Sequence, residues 1–396
     1  MMNKTIKIAL IVAAALICAG LVLGAVAYGL GARLEQGIGI TIGPGTVTSG
    51  APSGIQWNEN TQADGAYHVT DTVRSLDLGW AAGQVEIVIG DGNKILLQER
   101  SDREITADYA LRWGVKDKTL YVRYTEPGKV VENVPVKDLT VTIPRSLAEG
   151  MEELRMDGVS ASWTLSGITV DELKLDSASG GLQAENMTVQ DTKLSAVSGD
   201  MELSGSLSGE IHAGTTSGCI RIETDTAAKK AGLSTTSGTV KLYGSFDEVT
   251  CSSTSGDFHA EGAADSVDVD AISGTVTLVG GYRDIDADTT SGTVSLDIRD
   301  VAPEIDAGTT SADVIIRSEI APAELDIDTT SGSVELAIPA GSSFALDFDT
   351  TSGDLKSDLP LTMKGNELYS GNGGAEYEIS TTSGSLKIRP LTTEKD

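Results

Sequence analysis

The chain has 396 residues, of which 45 are glycine and only 4% are aromatic. Acidic residues outnumber basic ones 58 to 29, a formal net charge of −29. That excludes binding to nucleic acid or to an anionic membrane surface through the bulk of the protein, because either needs a basic footprint.

Residues 1–7 carry Lys4 and Lys7, and residues 8–32 carry no charge. The uncharged run is long enough to cross a bilayer, and the lysines before it favour a cytoplasmic amino terminus. We expect 1–7 to be cytoplasmic and 8–32 to be a transmembrane signal-anchor helix. This is a single pass of the cytoplasmic membrane with the bulk of the chain extracytoplasmic. The alternative is a secreted protein cleaved near Ala27, since Ala25-Val26-Ala27 has the form of a signal-peptidase site. Residues 33–65, rich in Gly, Thr, Ser, Asn and Gln, read as a flexible stalk. Residues 66–157 hold strand-like runs at Ser75–Leu78, Gln84–Ile89, Ile95–Gln98, Thr119–Tyr124 and Leu139–Ile143 without a strict period. They are expected to form irregular first coils that also cap a stacked core.

From residue 158 to residue 390 one signature recurs: Thr-Thr-Ser-Gly or a near variant, followed by alternating apolar residues. Its serines are Ser179, Ser198, Ser217, Ser237, Ser255, Ser273, Ser291, Ser311, Ser331, Ser352 and Ser383. They are 18 to 21 residues apart, except for a last gap of 31 that holds an insertion at about 356–374. Apolar residues recur three positions after each serine and, in most repeats, five after it and four and six before it, with polar residues between. Period two on both sides of a Ser-Gly corner gives two short strands per repeat. Glycine supplies the positive φ a tight corner needs, and the hydroxyls bond the turn. One repeat cannot bury its apolar face alone, so the expected fold is all-β. It is a single-stranded parallel β-helix (solenoid) of about 18–21 residues per coil, right-handed by the general crossover rule. Residues 391–396 are a tail. The three cysteines, Cys18, Cys219 and Cys251, do not make a disulfide framework.

The polar column five residues before each serine changes sign along the chain. Early members are Lys174, Lys193 and His212; later ones are Asp268, Asp286, Asp306, Asp326, Asp347 and Glu378. Three before the serine lie Asp270, Asp288, Asp328 and Asp349. Both positions alternate with core residues and so face outward. Rungs one coil apart, about 4.8 Å, place like charges where they repel by roughly 0.9 kcal/mol in water. A solvated acidic face is the simpler reading. A ladder that gathers a hard divalent cation such as Ca²⁺ is the sharper one, with Asp268, Asp286, Asp306, Asp326, Asp328, Asp347 and Asp349 as its ligands. No other cofactor is expected. His68, His212 and His259 stand in no catalytic spacing. A polysaccharide-acting β-helix enzyme rests on fold analogy alone, and the chain reads as non-enzymatic.

The serial Thr-Ser-Gly-x-apolar-x-apolar repeats of 179–388 resemble those of a bacterial putative adhesin family, a domain of unknown function with a β-helical fold. So do Val141-Thr142-Ile143-Pro144-Arg145 and Gly83-Gln84-Val85-Glu86-Ile87. The resemblance covers about 70–390. It implies a membrane-anchored, extracytoplasmic interaction module whose partner is a cell-wall or surface glycan, or a membrane or envelope protein. It also allows an accessory or sensor role in an envelope-stress system. The family brings no catalytic residues with it.

Overall fold

The structure is a computed structural model, which describes residues 40–43, 46–58, 66–101, 103–106, 109–132, 134–365 and 367–391. The expected cytoplasmic segment 1–7, the expected membrane helix 8–32 and Cys18 lie outside the described residues, as does the tail beyond 391. Among the described residues no helix is long and apolar enough to cross a membrane. The chain divides into two compact units, 1–226 and 227–396. The described residues of both are all-β and mostly in parallel coils; helix among them amounts to the single turn α1, Arg145–Ala148.

The first unit begins with strands β1 (Ile40–Gly43), β2 (Thr46–Ser49), β3 (Ala66–Val69), β4 (Ser75–Gly90) and β5 (Ile95–Ser101). Next come β6 (Arg112–Lys116), β7 (Thr119–Arg123), β8 (Val130–Glu132) and β9 (Lys137–Pro144). The β1–β2 hairpin is extended antiparallel by β8. Strand β4 runs parallel to β7 and β9 on one edge, and to β10 (Met151–Ser166) on the other. On the first edge β3, β5 and β9 pair antiparallel in turn, which closes that end of the stack. On the other edge regular coils follow: β11 (Thr169–Ser177), β12 (Leu182–Ser198), β13 (Met201–Leu207), β14 (Glu210–Ser217) and β15 (Ile220–Thr224). Core columns run straight from β10 through β11 into β12, as in Leu154, Leu173 and Thr192 or Met156, Leu175 and Leu194, and a register shift interrupts the β12–β13 pairing between Ala184 and Met187.

Part of the expected stalk is folded onto this unit rather than free. Arg123 Nε donates to Gly50 O at 2.7 Å, and Lys116 Nζ to Ser53 O at 2.9 Å. Asn58 N donates to Trp113 O at 2.9 Å, and Trp113 N donates back to Asn58 Oδ1 at 2.8 Å. Gly114 is the reason the segment can lie so close. A Cβ there would stand 2.5 Å from Ile55 and 2.6 Å from the Gln56 carbonyl oxygen.

The cap holds a charged pair with almost no exposure. Lys137 Nζ lies 3.0 Å from Glu99 Oε2, both side chains wholly buried. The ammonium also donates to the carbonyls of Tyr109 and Tyr124, each at 2.5 Å, and sits 4.1 Å from the centre of the Tyr124 ring. Glu99 accepts from Leu111 N at 3.0 Å, and Trp80 Nε1 donates to Lys137 O at 2.6 Å. Burial pulls the Lys137 pKa down to about 8, against the opposing pull of Glu99.

The second unit comprises β16 (Ala228–Thr235), β17 (Val240–Ser253), β18 (Phe258–Ala271), β19 (Val276–Thr289), β20 (Val294–Ile298), β21 (Glu304–Thr309) and β22 (Val314–Ser318). After these come β23 (Glu324–Thr329), β24 (Val334–Ile338), β25 (Phe344–Thr350), β26 (Leu355–Ser357), β27 (Thr362–Lys364), β28 (Glu367–Ser370), β29 (Ala375–Thr381) and β30 (Leu386–Pro390). Up to β24 the coils stack in sequence order. Then the order changes. Strand β29 pairs with both β23 and β25, and β30 with both β24 and β26. The last coil of the sequence is therefore inserted beneath the one before it. The insertion at 356–374 contains the β27–β28 hairpin, and β28 covers the outer edge of β25 antiparallel.

Three of the four signature residues now have a role. The first Thr accepts from the backbone three residues on: Gly332 N to Thr329 Oγ1 is 2.9 Å, and Gly384 N to Thr381 Oγ1 is 2.6 Å. The Ser reaches the neighbouring coil, as Ser383 Oγ does to Thr330 O at 3.3 Å. The glycine was expected to supply a positive φ, and at Gly274 (φ 130°) it does. At Gly332 and Gly384 the reason is contact instead. A Cβ there would lie 1.7 Å from the carbonyl oxygen of Ala312 or Gly332 in the coil below.

Candidate functional site

The outward positions of β18, β19, β21, β23, β29 and β25 form one acidic face within the second unit. Its central column runs Asp268, Asp286, Asp306, Asp326, Glu378 and Asp347, each the register partner of the next. The insertion of the last coil places Glu378 between Asp326 and Asp347, so those two aspartates are two rungs apart, not one. The column two residues on is broken. Asp270 stands beside Asp288, but Gly308 separates Asp288 from Asp328, and Ser380 separates Asp328 from Asp349.

A third column was missed from sequence. Asp284, Glu304, Glu324 and Glu376 are consecutive register partners seven residues before their serines, and all four are exposed. The signal was available, since seven before has the same outward parity as five and three before. On β19, β21 and β23 the result is a repeated carboxylate–apolar–Asp–apolar strand. At the near end of the face Lys230 pairs with Glu248 at 2.5 Å, next to Asp268.

The crowding shows in the protonation of the middle rungs. The Asp286 pKa is pushed up to about 7, first by partial burial between its neighbours and then by the charges of Asp288, Asp306, Asp268 and Asp270. Asp270 is raised by burial and by Asp268. Asp268 is raised by burial and by Glu248, against Lys230.

The seven aspartates expected as cation ligands thus share a face without converging. Among the described residues no group of three or more His, Cys, Asp or Glu side chains forms a metal cage. In the first unit the corresponding column is basic: Arg155, Lys174, Lys193 and His212 in register. Arg155, also missed from sequence, lies five before Ser160. Three members of this column have carboxylate partners. Arg155 bonds Asp157 at 3.1 Å, Lys174 bonds Glu153 at 2.9 Å and Glu172 at 2.7 Å, and His212 meets Glu210 at 3.3 Å. Burial pushes the Asp157 pKa up to about 6 even against its Arg155 bond.

Beside the acidic face a groove of about 430 Å³, open to solvent, is lined by Arg283, Asp284, Val301, Ala302 and Glu304. Neither Cys219 nor Cys251 is in a disulfide; burial pushes the Cys251 thiol up and leaves it inert.

The Toastrack DUF4097 family model matches residues 133–297 and again residues 244–389. Together these matches span well over half of the chain, which belongs to that family. No curated protein matches the sequence. Among solved structures the chain is similar to a putative adhesin from Bacteroides fragilis, at 16% identity and a TM-score of 0.41, over 58% of this chain and 98% of that one. It is also similar to a putative cell adhesion protein from Clostridium sporogenes, at 10% identity and a TM-score of 0.22, over 85% of this chain and 100% of that one.

Proposed function

We propose that the protein is a non-catalytic interaction module of the cell envelope. Residues 8–32 hold it in the cytoplasmic membrane, and the bulk of the chain lies outside. The acidic face carries this reading. It is regular, built on strands, and exposed, with a fixed rung spacing. Such a face suits an extended partner that is cationic or bridged by divalent ions: an amine-bearing wall or surface glycan, or a basic segment of an envelope protein. Ca²⁺ gathered between rungs Asp268 to Asp349 would act as a diffuse bridge and not as a caged site.

The test is binding of the full chain, purified in detergent, to isolated cell walls with Ca²⁺ and with chelator. Saturable binding is expected, and its loss in chelator implicates the aspartates. Absence of binding in both conditions overturns the glycan reading and directs the search to a membrane protein by cross-linking in intact membranes. The anchor is checked separately, because washed membranes should retain the protein at full mass. A soluble product beginning at Tyr28 would sink it.

A further inference from the structure

The intercalated last coil has a consequence for how copies of this chain meet. We propose that residues 375–390 are an exchangeable coil, and that a second copy of the chain can supply them.

The slot they fill is defined on both sides. Strand β29 is bonded to β23 below and β25 above, and β30 to β24 and β26. Removing this coil from its own chain leaves two facing rows of unpaired backbone groups, about two rung spacings apart, and such rows accept only another strand. The slot also recognises this segment in particular. The buried Tyr377 hydroxyl donates to Pro322 O at 3.0 Å, and its ring stacks on Phe344 with centroids 4.6 Å apart. Arg389 Nε meets Glu335 Oε1 at 2.5 Å. Leu346 occupies the Tyr377 position in the neighbouring coil and has no hydroxyl to offer.

The segment hangs on a hinge suited to redirection. Residues 371–374 read Gly-Asn-Gly-Gly, with three positive φ values at Gly371, Gly373 and Gly374. Glycine there permits other paths at little steric cost. Everything before the hinge, through β28, stays with its own coil by the β25–β28 pairing. In an exchanged dimer every contact of 375–390 is kept, and only 371–374 changes course. The balance between closed monomer and exchanged dimer is then set by concentration and hinge geometry, the usual condition for swapping. The inference does not depend on the function proposed above.

Register partners on adjacent rungs lie about 4.8 Å apart, within the Cα range of a disulfide. Asp328 and Ser380 are such partners. The full-length double variant D328C/S380C should close an intramolecular disulfide. D328C/D349C should not, because Ser380 stands between those two positions. The opposite pattern would mean that the coils stack in sequence order, and would overturn the proposal at its base. Full-length D328C and full-length S380C are then mixed in detergent, warmed briefly below the unfolding transition and oxidised. A 328–380 disulfide joining one chain of each kind, identified by peptide mass, is expected, with its ratio to monomer rising about tenfold for a tenfold rise in concentration. An intramolecular bond in D328C/S380C with no interchain bond from the mixture at any concentration would overturn exchange.

Discussion

A corner residue in this fold answers to two coils at once. Gly332 is the clearest case, because its own turn is closed by Thr329 while its Cα faces the Ala312 carbonyl of the coil below. We predict that Gly332→Ala destabilises the protein by about 1–3 kcal/mol, since the displaced atom is backbone and cannot turn aside. A urea midpoint equal to that of the natural protein would refute this. Asp286 makes a prediction of opposite sign. Its pKa rises from 3.8 to about 7 on folding, so the folded state holds this proton more tightly than the unfolded one. The resulting stability is fully present below about pH 4 and is lost as the pH rises to about 7. Asp286→Asn should therefore raise the melting temperature at about pH 8 and flatten its decline between about pH 4 and pH 7. Unchanged melting curves across that range would show that the rung is better solvated than the geometry implies.

Among the elements, the two ends of the stacks are where the regular pattern stops and other devices take over. At the amino-terminal cap the antiparallel strands β5 and β9 are held by the buried Glu99–Lys137 pair. Removing one member leaves the other as an uncompensated charge, a loss of about 3–5 kcal/mol in buried pairs. Lys137→Met should lose about that much, with hydrogen-exchange protection falling first in residues 95–144. E99L/K137M, with both charges gone, should recover most of it. If the single and double variants are equally stable, the pair does not hold the cap. At the carboxyl end of the second unit the β27–β28 hairpin and the inserted β29–β30 coil do a comparable job without a fully buried charge pair, through the Tyr377–Pro322 bond and the part-exposed Arg389–Glu335 pair.

At the level of the whole molecule the dominant quantity is charge. A formal net charge of −29, with part of it aligned on one face of the second unit, makes the folded state repel itself. Raising NaCl from about 10 mM to about 150 mM shortens the screening length to about 8 Å, roughly twice the rung spacing. The melting temperature should rise over that range, and more for the natural protein than for Asp286→Asn. A melting temperature that falls with salt would mean that the ion pairs of the first unit outweigh the acidic face.

The sequence by itself determined the coil, its two strands and the direction each side chain faces, because period two leaves no freedom once one face must be dry. Leu325, Ile327 and Asp326 could be assigned inward, inward and outward from their spacing to Ser331 alone. It also placed the carboxylate columns, and a strict use of the same parity would have added Glu304 and Glu324. Only the tertiary structure decided the order of the last coils. Residues 324–338, 344–357 and 375–390 carry nearly the same pattern, so any of them can stack on any other as far as periodicity is concerned. The choice falls to contacts between residues distant in sequence, Tyr377 with Pro322 and Phe344, Arg389 with Glu335, which no local pattern encodes. The same is true of the buried Glu99–Lys137 pair and of the docking of 50–58 on Gly114. Each depends on which surfaces the folded chain brings together, and a one-dimensional repeat does not carry that information.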